Sequence, residues 1–426
     1  MFILKLFAKL ILWRFEPRVI AVTGSVGKTA ALQAIQAVLS CSNLGKSAKR
    51  VRISKEFLKN PWAVIFAILG DFSNKNLELF AKSRLTKAEK LKKTFFTARV
   101  VFSSIFRFFF CQQSHYPEVL VLEYGAGRQE YIKYLLEIAK SDISVITAFG
   151  EMPAHLEFWS GPEAIQKDKV KIIEYLPAAG FAVLNADDEA VIRMKERTRA
   201  KVITFGFDEK ADLRITNFEN KIEEDAPFGI SFKLEYGGNV VPVSIRGVLG
   251  KAQAYAAAIG ACLGLIFDLN LVEISEALGA NYKPSVGMRL LRGVKETYIL
   301  DDSQDASPTS VHEALHTLHD LPGARKIAVL GDMLYLGKYA IEAHETIGQL
   351  AGKTVDYLIT VGLRGKFIAE AAAQAGLSKL RITSYDVAAE AGKPLEDLLK
   401  KGNLVLIKGS KEMRLEKVIE EIKEIH

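Results

Sequence analysis

Short runs of β-branched residues alternate with longer stretches of helical spacing along the first part of the chain. Arg18–Thr23 has the length and composition of a buried strand, and residues 30–39 are strong helix formers with apolar spacing. The same criteria predict strands at Val119–Glu123, 143–147 and 181–184, with a helix at 164–175. This alternation predicts an α/β fold with a mainly parallel sheet.

The pattern changes at residues 211–246, where apolar and polar positions alternate with a period of two. Gly237 and Gly238 interrupt this stretch, which predicts an antiparallel hairpin appended to the sheet. An alanine-rich helix is predicted at 252–265. Further strands, at 298–300, 326–330, Tyr357–Val361 and 404–408, alternate with helices up to residue 425. The second part is therefore predicted to be a doubly wound, Rossmann-like domain.

These patterns divide the chain into an N-terminal segment at 1–16, a central domain at 17–284 and a C-terminal domain at 285–426. The chain has 426 residues, which at about 150 residues per domain agrees with such a division. With 49% apolar and 25% charged residues, extensive disorder is excluded. The 3 cysteines show no CxxC spacing, so neither a disulfide framework nor a cysteine zinc site is predicted, and a reducing cytoplasm fits best.

Two segments combine basic with large apolar side chains. In the N-terminal segment, Lys5, Lys9 and Arg14 interrupt an apolar run that is too short and too charged for a membrane span of about 20 residues. Two interpretations stay open for it: a helix lying in a membrane interface, or a helix packed on its own domain.

The second such segment is a basic, phenylalanine-rich insertion at 82–115. Between 82 and 110 the single acidic residue is Glu89. The basic residues of this stretch are Lys82, Arg84, Lys87, Lys90, Lys92, Lys93, Arg99 and Arg107. Much of the net charge of +7 lies here, which predicts peripheral contact with an anionic membrane. The alternative is a solvated helix followed by a core segment. Because no nucleic-acid-binding motif is present, no nucleic-acid partner is predicted.

A glycine-rich loop between the first strand and the first helix carries the clearest chemistry. It consists of Gly24, Ser25, Val26, Gly27, Lys28 and Thr29. Backbone N–H groups at a helix N-terminus bind phosphate, the lysine reaches terminal phosphate oxygens, and the threonine hydroxyl can ligate Mg²⁺. The loop therefore predicts a nucleotide site without specifying the reaction.

Several separated stretches resemble the Mur ligase family, the ATP-dependent amide-forming enzymes of peptidoglycan precursor synthesis. They are the shortened loop TGSVGKT at 23–29, LEYGA at 122–126, PAHL at 153–156, NADD at 185–188, LDDS at 300–303, LGDMLYLG at 330–337, and KGS at 408–410 with MR at 413–414. The resemblance covers roughly residues 18–420 and is strongest to the branch that adds D-alanyl-D-alanine to a muramoyl tripeptide. It implies a central ATPase domain followed by a C-terminal ligase domain.

The resemblance also implies a two-magnesium site with ATP. Thr29 and Glu123 resemble the family's ligands to the ATP-bound Mg²⁺, and His155 resembles the histidine near a second Mg²⁺. Lys169 occupies the position at which many members carry a carbamylated lysine. With Lys28, these residues form the implied catalytic set.

Further positions are implied to hold the nucleotide. Arg289 resembles an arginine that approaches the ATP phosphates when the domains close, Asp302 resembles a ribose contact, and Asn185 and Gln253 lie in matching motifs. Two other residues, Lys408 and His344, match patterned positions, but a surface or capping role is their alternative.

The implied reaction is phosphoryl transfer from ATP to a carboxylate, followed by attack of an amine, with a muramoyl peptide and D-alanyl-D-alanine as substrates. Departures from the family pattern bear on these substrates: Ala252 and Gln253 replace a His-Asn pair, and Asp305 and Ser307 stand where the branch has asparagines. The chain begins 17 residues before the strand that leads into the loop, so we expect no N-terminal uridine-diphosphate-binding domain. A ligase for a different, lipid-linked substrate and a non-catalytic ATP-binding scaffold are the alternatives.

Overall fold

The structure, a computed structural model, describes residues 2–41, 48–55, 61–82, 85–125, 130–150, 156–223, 226–284 and 287–424. Within these residues it contains two β-sheets with helices on both faces. The predicted α/β class with mainly parallel sheets is confirmed.

The first sheet lies in residues 18–246. Its strands are β1 Arg18–Thr23, β2 Val51–Ile53, β3 Val119–Glu123, β4 Ile143–Ile146, β5 Phe181–Asn185, β6 Lys201–Gly206, β7 Leu213–Glu223, β8 Ala226–Tyr236 and β9 Asn239–Arg246. Their order among the described residues is β2-β3-β1-β4-β5-β6-β7-β8-β9. All neighbours are parallel except the pairs formed by β7 with β8 and β8 with β9.

Helices cover both faces of this sheet. They are α1 Phe2–Phe15, α2 Lys28–Leu39, α3 Trp62–Leu69, α4 Asn74–Ala81, α5 Lys87–Phe110, α6 Tyr131–Ile138, α7 Pro162–Lys169, α8 Lys171–Glu174, α9 Glu189–Ile192, α10 Lys251–Ile266 and α11 Leu271–Asn281. Successive residues of β1 face opposite sides: Val19 packs with α1 and α3, and Ile20 packs with α2 and α10. Burial on both faces explains the continuous apolar run of this strand.

The second sheet lies in residues 289–408. Its strands are β10 Arg289–Gly293, β11 Thr297–Asp302, β12 Arg325–Gly331, β13 Tyr357–Val361, β14 Ile382–Tyr385 and β15 Asn403–Lys408, in the order β10-β11-β15-β12-β13-β14. Only β10 is antiparallel to its neighbour among these described strands. The accompanying helices are α12 Pro308–Asp320, α13 Ala340–Thr354, α14 Gly365–Gln374, α15 Ala388–Leu398 and α16 Glu416–Ile422. This is the predicted doubly wound arrangement.

Two predicted elements differ from the structure. The helix predicted at 164–175 is divided into α7 and α8 at Val170, because the N–H of Ile173 bonds to the carbonyl of Val170 only three residues earlier and tightens the helix. The hairpin predicted in 211–246 is part of a three-stranded antiparallel unit, since β8 pairs with both β7 and β9, and β7 joins this unit to β6. The proposed domain limits stay predictions.

The N-terminal segment is a helix packed on its own domain, which is one of its two predicted interpretations. The buried side chains of α1 are Leu4, Ala8, Ile11 and Phe15, and the helix contacts α3 and α5. The basic insertion forms α5, a single helix of 24 residues. None of the helices in the described ranges is long and apolar enough to cross a membrane.

Candidate nucleotide-binding site

The glycine-rich loop joins the end of β1 to the start of α2, as predicted. Gly27 caps α2 with φ 79°, a left-handed conformation that favours glycine. At Gly24, where φ is 150°, an added Cβ atom would lie 1.9 Å from the Oγ1 atom of Thr147. The loop therefore requires glycine at 24 because of a close contact and at 27 because of its backbone conformation.

The end of β4 holds this loop in place. The N–H of Ser25 donates to the carbonyl of Ala148 at 2.7 Å, and the hydroxyl of Thr147 donates to the carbonyl of Val26 at 2.5 Å. These bonds fix the loop at the positive end of the α2 dipole, where Lys28 and Thr29 begin the helix. The arrangement suits an anionic phosphate.

Lys169 approaches the loop from the last residue of α7. Its Nζ atom donates to the Oγ atom of Ser25 at 3.0 Å and lies 5.2 Å from the ring centre of Phe149. The side chain is buried, and this burial, together with the nearby charge of Lys28, holds the pKa of Lys169 well below its usual value, although Asp168 acts in the opposite direction. The amine is therefore biased toward its neutral form.

Glu123 is fixed beside the loop at the carboxyl end of β3. Its N–H donates to the Oγ atom of Ser54 at 2.9 Å, and Glu123 is paired in register with Val22 of β1. The next residue, Tyr124, accepts a 2.7 Å hydrogen bond from the hydroxyl of Thr23 through its carbonyl. The strand end and the loop are thus connected directly.

The donor atoms present fit Mg²⁺. The hydroxyl of Thr29 and the carboxylate of Glu123 are hard oxygen donors, and Mg²⁺ usually takes only one or two protein ligands in addition to phosphate and water. Among the residues that the structure describes, no group of three or more His, Cys, Asp or Glu side chains could hold a metal ion by itself. His155, a predicted ligand, lies outside the described residues.

The turn after β5 fixes a second edge of the site. Asn185 is buried, and its side-chain oxygen accepts from the N–H of Asp187 at 3.0 Å. Asp188 caps α9 and also accepts hydrogen bonds from the N–H groups of Phe149 at 2.6 Å and Gly150 at 3.1 Å. Asp188 therefore connects α9 to the segment after β4. Its motif at 185–188 is visible in the sequence, but this role of Asp188 is not.

A cavity of about 760 Å³ opens over this region between the two sheets. From the first part of the chain it is lined by Val26, Gly27, Asn185, Asp187, Asp188, Ala252 and Tyr255, among others. From the second part it is lined by Pro308, Thr309, His312, Glu313, Thr346 and Ile347. Its volume lies within the range of small-molecule sites. The loop, the β5 turn and the start of α12 thus face one space.

Other predicted nucleotide contacts lie apart from the described lining of this cavity. Arg289 forms an ion pair with Asp301 across the β10–β11 register. The carboxylate of Asp302 is 2.6 Å from the Nζ atom of Lys408. Gln253 is buried in α10, where its Oε1 atom accepts from the hydroxyl of Tyr282 at 2.8 Å. Their predicted roles toward the nucleotide stay predictions.

Lys408 and His344 are both buried, so the surface half of their suggested surface or capping role is wrong. Lys408 also donates to the carbonyl of Asp305 at 2.9 Å. The Nε2 atom of His344 accepts from the N–H of Met333 at 2.9 Å, and its Nδ1 atom lies 2.6 Å from the carbonyl of Ala340. Both residues fix the loops at the carboxyl ends of strands in the second sheet.

Strand, glycine-rich loop and helix, in a parallel sheet whose carboxyl edge opens into a cavity, define a P-loop nucleotide-binding protein of the α/β class. The profile of the Mur ligase middle domain matches residues 103–264, and that of the Mur ligase, glutamate ligase domain matches residues 288–411. The chain belongs to the Mur ligase family.

Relatives of the chain include two UDP-N-acetylmuramoyl-tripeptide–D-alanyl-D-alanine ligases. The Bacillus subtilis (strain 168) protein is 27% identical over 307 residues, 72% of this chain and 64% of that protein. The Rickettsia prowazekii protein is 24% identical over 415 residues, 95% of this chain and 78% of that protein. The chain therefore spans less than two thirds of the Bacillus relative.

The fold is similar to that of solved MurF ligases. The structure of MurF ligase from Thermotoga maritima in complex with ADP superimposes with a TM-score of 0.76 at 24% identity, covering 98% of this chain and 82% of that one. MurF from Acinetobacter baumannii superimposes with a TM-score of 0.75 at 21% identity, covering 98% and 79%.

Proposed function

We propose that this chain is an ATP-dependent carboxylate–amine ligase that joins D-alanyl-D-alanine to a muramoyl tripeptide in peptidoglycan precursor synthesis. The observation that carries the proposal is a complete phosphate-binding loop that opens into a cavity closed by the second domain of a Mur ligase chain. The substrates follow the names of the relatives. A location in the cytoplasm stays a prediction.

The proposed reaction has two steps. A carboxylate oxygen of the muramoyl peptide attacks the terminal phosphorus of ATP, and ADP leaves. The amine of D-alanyl-D-alanine then attacks the carbonyl carbon of the acyl phosphate, forms the amide bond, loses a proton and releases phosphate. Both nucleophiles come from the substrates, so the protein does not have to supply one. Its part in catalysis is to position the substrates and to stabilise the negative charge on the transferring phosphate.

The residues of the loop would carry the electrostatic part of this catalysis. Lys28 and the first N–H groups of α2 present positive charge where the terminal phosphate binds. Thr29 and Glu123 would hold Mg²⁺, which when bound neutralises phosphate charge. His155 is proposed to act near a second Mg²⁺.

Lys169 is proposed to be carbamylated. In that reaction its neutral nitrogen bonds to the carbon of CO₂ and loses a proton, which converts the amine into an anionic oxygen donor. Burial favours the neutral nucleophile that this step requires. The 3.0 Å contact with Ser25 places the modified side chain beside the phosphate-binding loop.

Residues of the second domain would complete the site from across the cavity. We propose that Arg289 leaves its ion pair with Asp301 and approaches the ATP phosphates when the domains close, and that Asp302 contacts the ribose. Asn185 and Gln253 would hold the nucleotide from the first domain. The two parts of the chain already meet at this cavity, since an added Cβ at Gly150 would lie 2.4 Å from the Oγ1 atom of Thr309.

The test is phosphate release from Mg·ATP with UDP-muramoyl-tripeptide and D-alanyl-D-alanine supplied together and singly, with the pentapeptide product identified by mass. Release should require both substrates and should be lost in Lys28→Ala. Lys133→Ala, which removes an exposed lysine of the same domain, is the matched control and should retain activity. Release that is equal with and without the substrates, or unchanged in Lys28→Ala, would overturn the proposal.

A further inference from the structure

The helix α1 is apolar on two opposite sides. Its inner side is buried, and its outer side carries Phe2, Leu6 and Trp13 at the spacing of one helical stripe. Phe2 is 81% exposed and Trp13 is 70% exposed. The packing of α1 on its own domain therefore leaves a second apolar side in solvent.

The helix α5 repeats this arrangement over a greater length. Phe96, Val100 and Ser104 form its buried side. The opposite side carries a stripe of large apolar residues with exposures between 59% and 75%, namely Leu91, Phe95, Phe102, Phe106 and Phe109. Their spacing of three, four or seven residues keeps them on one side of the helix.

The two exposed stripes belong to one surface. α1 packs against α5, and the ring of Trp13 stacks on that of Phe108 with 6.3 Å between the ring centres. We call the exposed sides of these two helices the α1–α5 surface. Exposed apolar surfaces of this extent usually mark an interaction site.

The charges that the two helices carry are almost entirely positive. The exposed basic side chains on the two helices are Lys9, Arg14, Lys87, Lys90, Lys92 and Arg99. The sequences of α1 and α5 contain a single acidic residue, Glu89, and its carboxylate is 2.7 Å from the Nζ atom of Lys82. An apolar stripe with basic flanks complements a bilayer surface, which offers acyl chains beneath anionic headgroups.

We propose that the α1–α5 surface binds the headgroup region of an anionic phospholipid bilayer, with the helices parallel to the membrane plane. The aromatic side chains enter the boundary between headgroups and acyl chains, and the basic side chains contact lipid phosphates. A bilayer is favoured over a protein partner because the apolar stripe and the basic side chains beside it both extend along the two helices. This proposal does not depend on the ligase activity.

The test is cosedimentation of the full chain with vesicles of phosphatidylcholine alone and of phosphatidylcholine mixed with phosphatidylglycerol. One variant combines Phe95→Ser with Phe102→Ser, and a second combines Lys92→Glu with Arg99→Glu. The matched control combines Lys379→Glu with Leu380→Ser, which changes an exposed basic and an exposed apolar residue elsewhere. An unchanged thermal unfolding temperature shows that each variant is folded.

The wild-type chain and the control should bind the mixed vesicles, and added salt should weaken this binding. Each α1–α5 variant should bind roughly tenfold more weakly or worse. The proposal is overturned if the wild-type chain fails to bind mixed vesicles at low salt, or if the two variants bind as well as the control. It is also overturned if the chain dimerises without lipid and the Phe95→Ser, Phe102→Ser variant is monomeric, because a second copy would then cover the surface.

Discussion

The Nζ atom of Lys169 donates a 3.0 Å hydrogen bond to the Oγ atom of Ser25, so the last residue of α7 contacts the phosphate-binding loop directly. Only 3% of Lys169 is exposed. A lysine is seldom buried to this degree, because desolvation penalises its charged form. The contact therefore places an amine whose pKa is lowered by burial beside a site built for anions.

We predict that Lys169→Met removes ligase activity and raises the free energy of unfolding by about 1 to 3 kcal/mol. In the uncarbamylated side chain, burial keeps the pKa of this amine well below its ordinary value of 10.5, so as the pH falls below that value the unfolded chain takes up the proton more readily than the native chain. The wild-type chain therefore loses stability as the pH falls through this range, and the variant does not. Urea unfolding at about pH 9 and about pH 7 should show a larger gain at the lower pH. A variant that is less stable at both values would contradict this description of Lys169.

The two glycines of the loop should respond differently to alanine. Gly24→Ala places a Cβ atom against Thr147, so we expect a loss of about 2 to 3 kcal/mol in stability and of ATP binding. Gly27→Ala meets no described atom within 4 Å and should cost about 1 kcal/mol through its left-handed backbone alone. Thermal unfolding measures the loss of stability in both variants, and ATP titration measures the loss of ATP binding. Adding Thr147→Ala should partly restore Gly24→Ala, and no restoration would refute the steric explanation.

Asp188→Ala should loosen the edge of the cavity. The substitution removes the cap of α9 and the acceptor for the N–H groups of Phe149 and Gly150. We expect a loss of about 2 to 4 kcal/mol in unfolding free energy, together with weaker ATP binding. Glu196→Ala, at an exposed position that does not line the cavity, is the control and should have little effect on either. Equal effects of the two substitutions would contradict the role of Asp188.

His344 should make the second domain sensitive to acid. Burial lowers the pKa of His344 below its ordinary value of 6.5, so the unfolded chain takes up this proton more readily than the native chain. Stability contributed by the neutral ring is therefore lost as the pH falls below about 6.5. In denaturant titrations from about pH 7 to about pH 5, His344→Gln should flatten this decline, whereas the exposed control His319→Gln should retain it. Parallel declines in both variants would rule out His344 as the cause.

The buried parallel strands were the elements that the sequence predicted best. Arg18–Thr23, Val119–Glu123 and Tyr357–Val361 match the structure to the residue, because burial on both faces produces a continuous apolar run. β2 and β14 were not predicted, since each is a short strand at a sheet edge without a continuous buried run. The loop was predictable because its glycines, lysine and threonine are local to one strand–helix junction.

The contacts of the site were less accessible from the sequence. Lys169 is buried whereas Lys167 is exposed, although both lie in the same basic run. Helical spacing alone indicates which of the two lysines is buried. Ile165 and Ile172 lie four residues before and three residues after Lys169, which places Lys169 on the same buried side. The bonds from Asp188 to the segment after β4 join residues about 40 positions apart, which periodicity alone does not reveal.

The most direct measurement of the central claim follows oxygen from the substrate to phosphate. The acceptor carboxylate of UDP-muramoyl-tripeptide is labelled with a heavy oxygen isotope, and the phosphate released from ATP in the presence of D-alanyl-D-alanine is analysed by mass. Because the carboxylate oxygen bonds to phosphorus and stays there when the amine attacks carbon, each phosphate formed with product should carry one labelled oxygen. Unlabelled phosphate, released without amide product, would contradict the account.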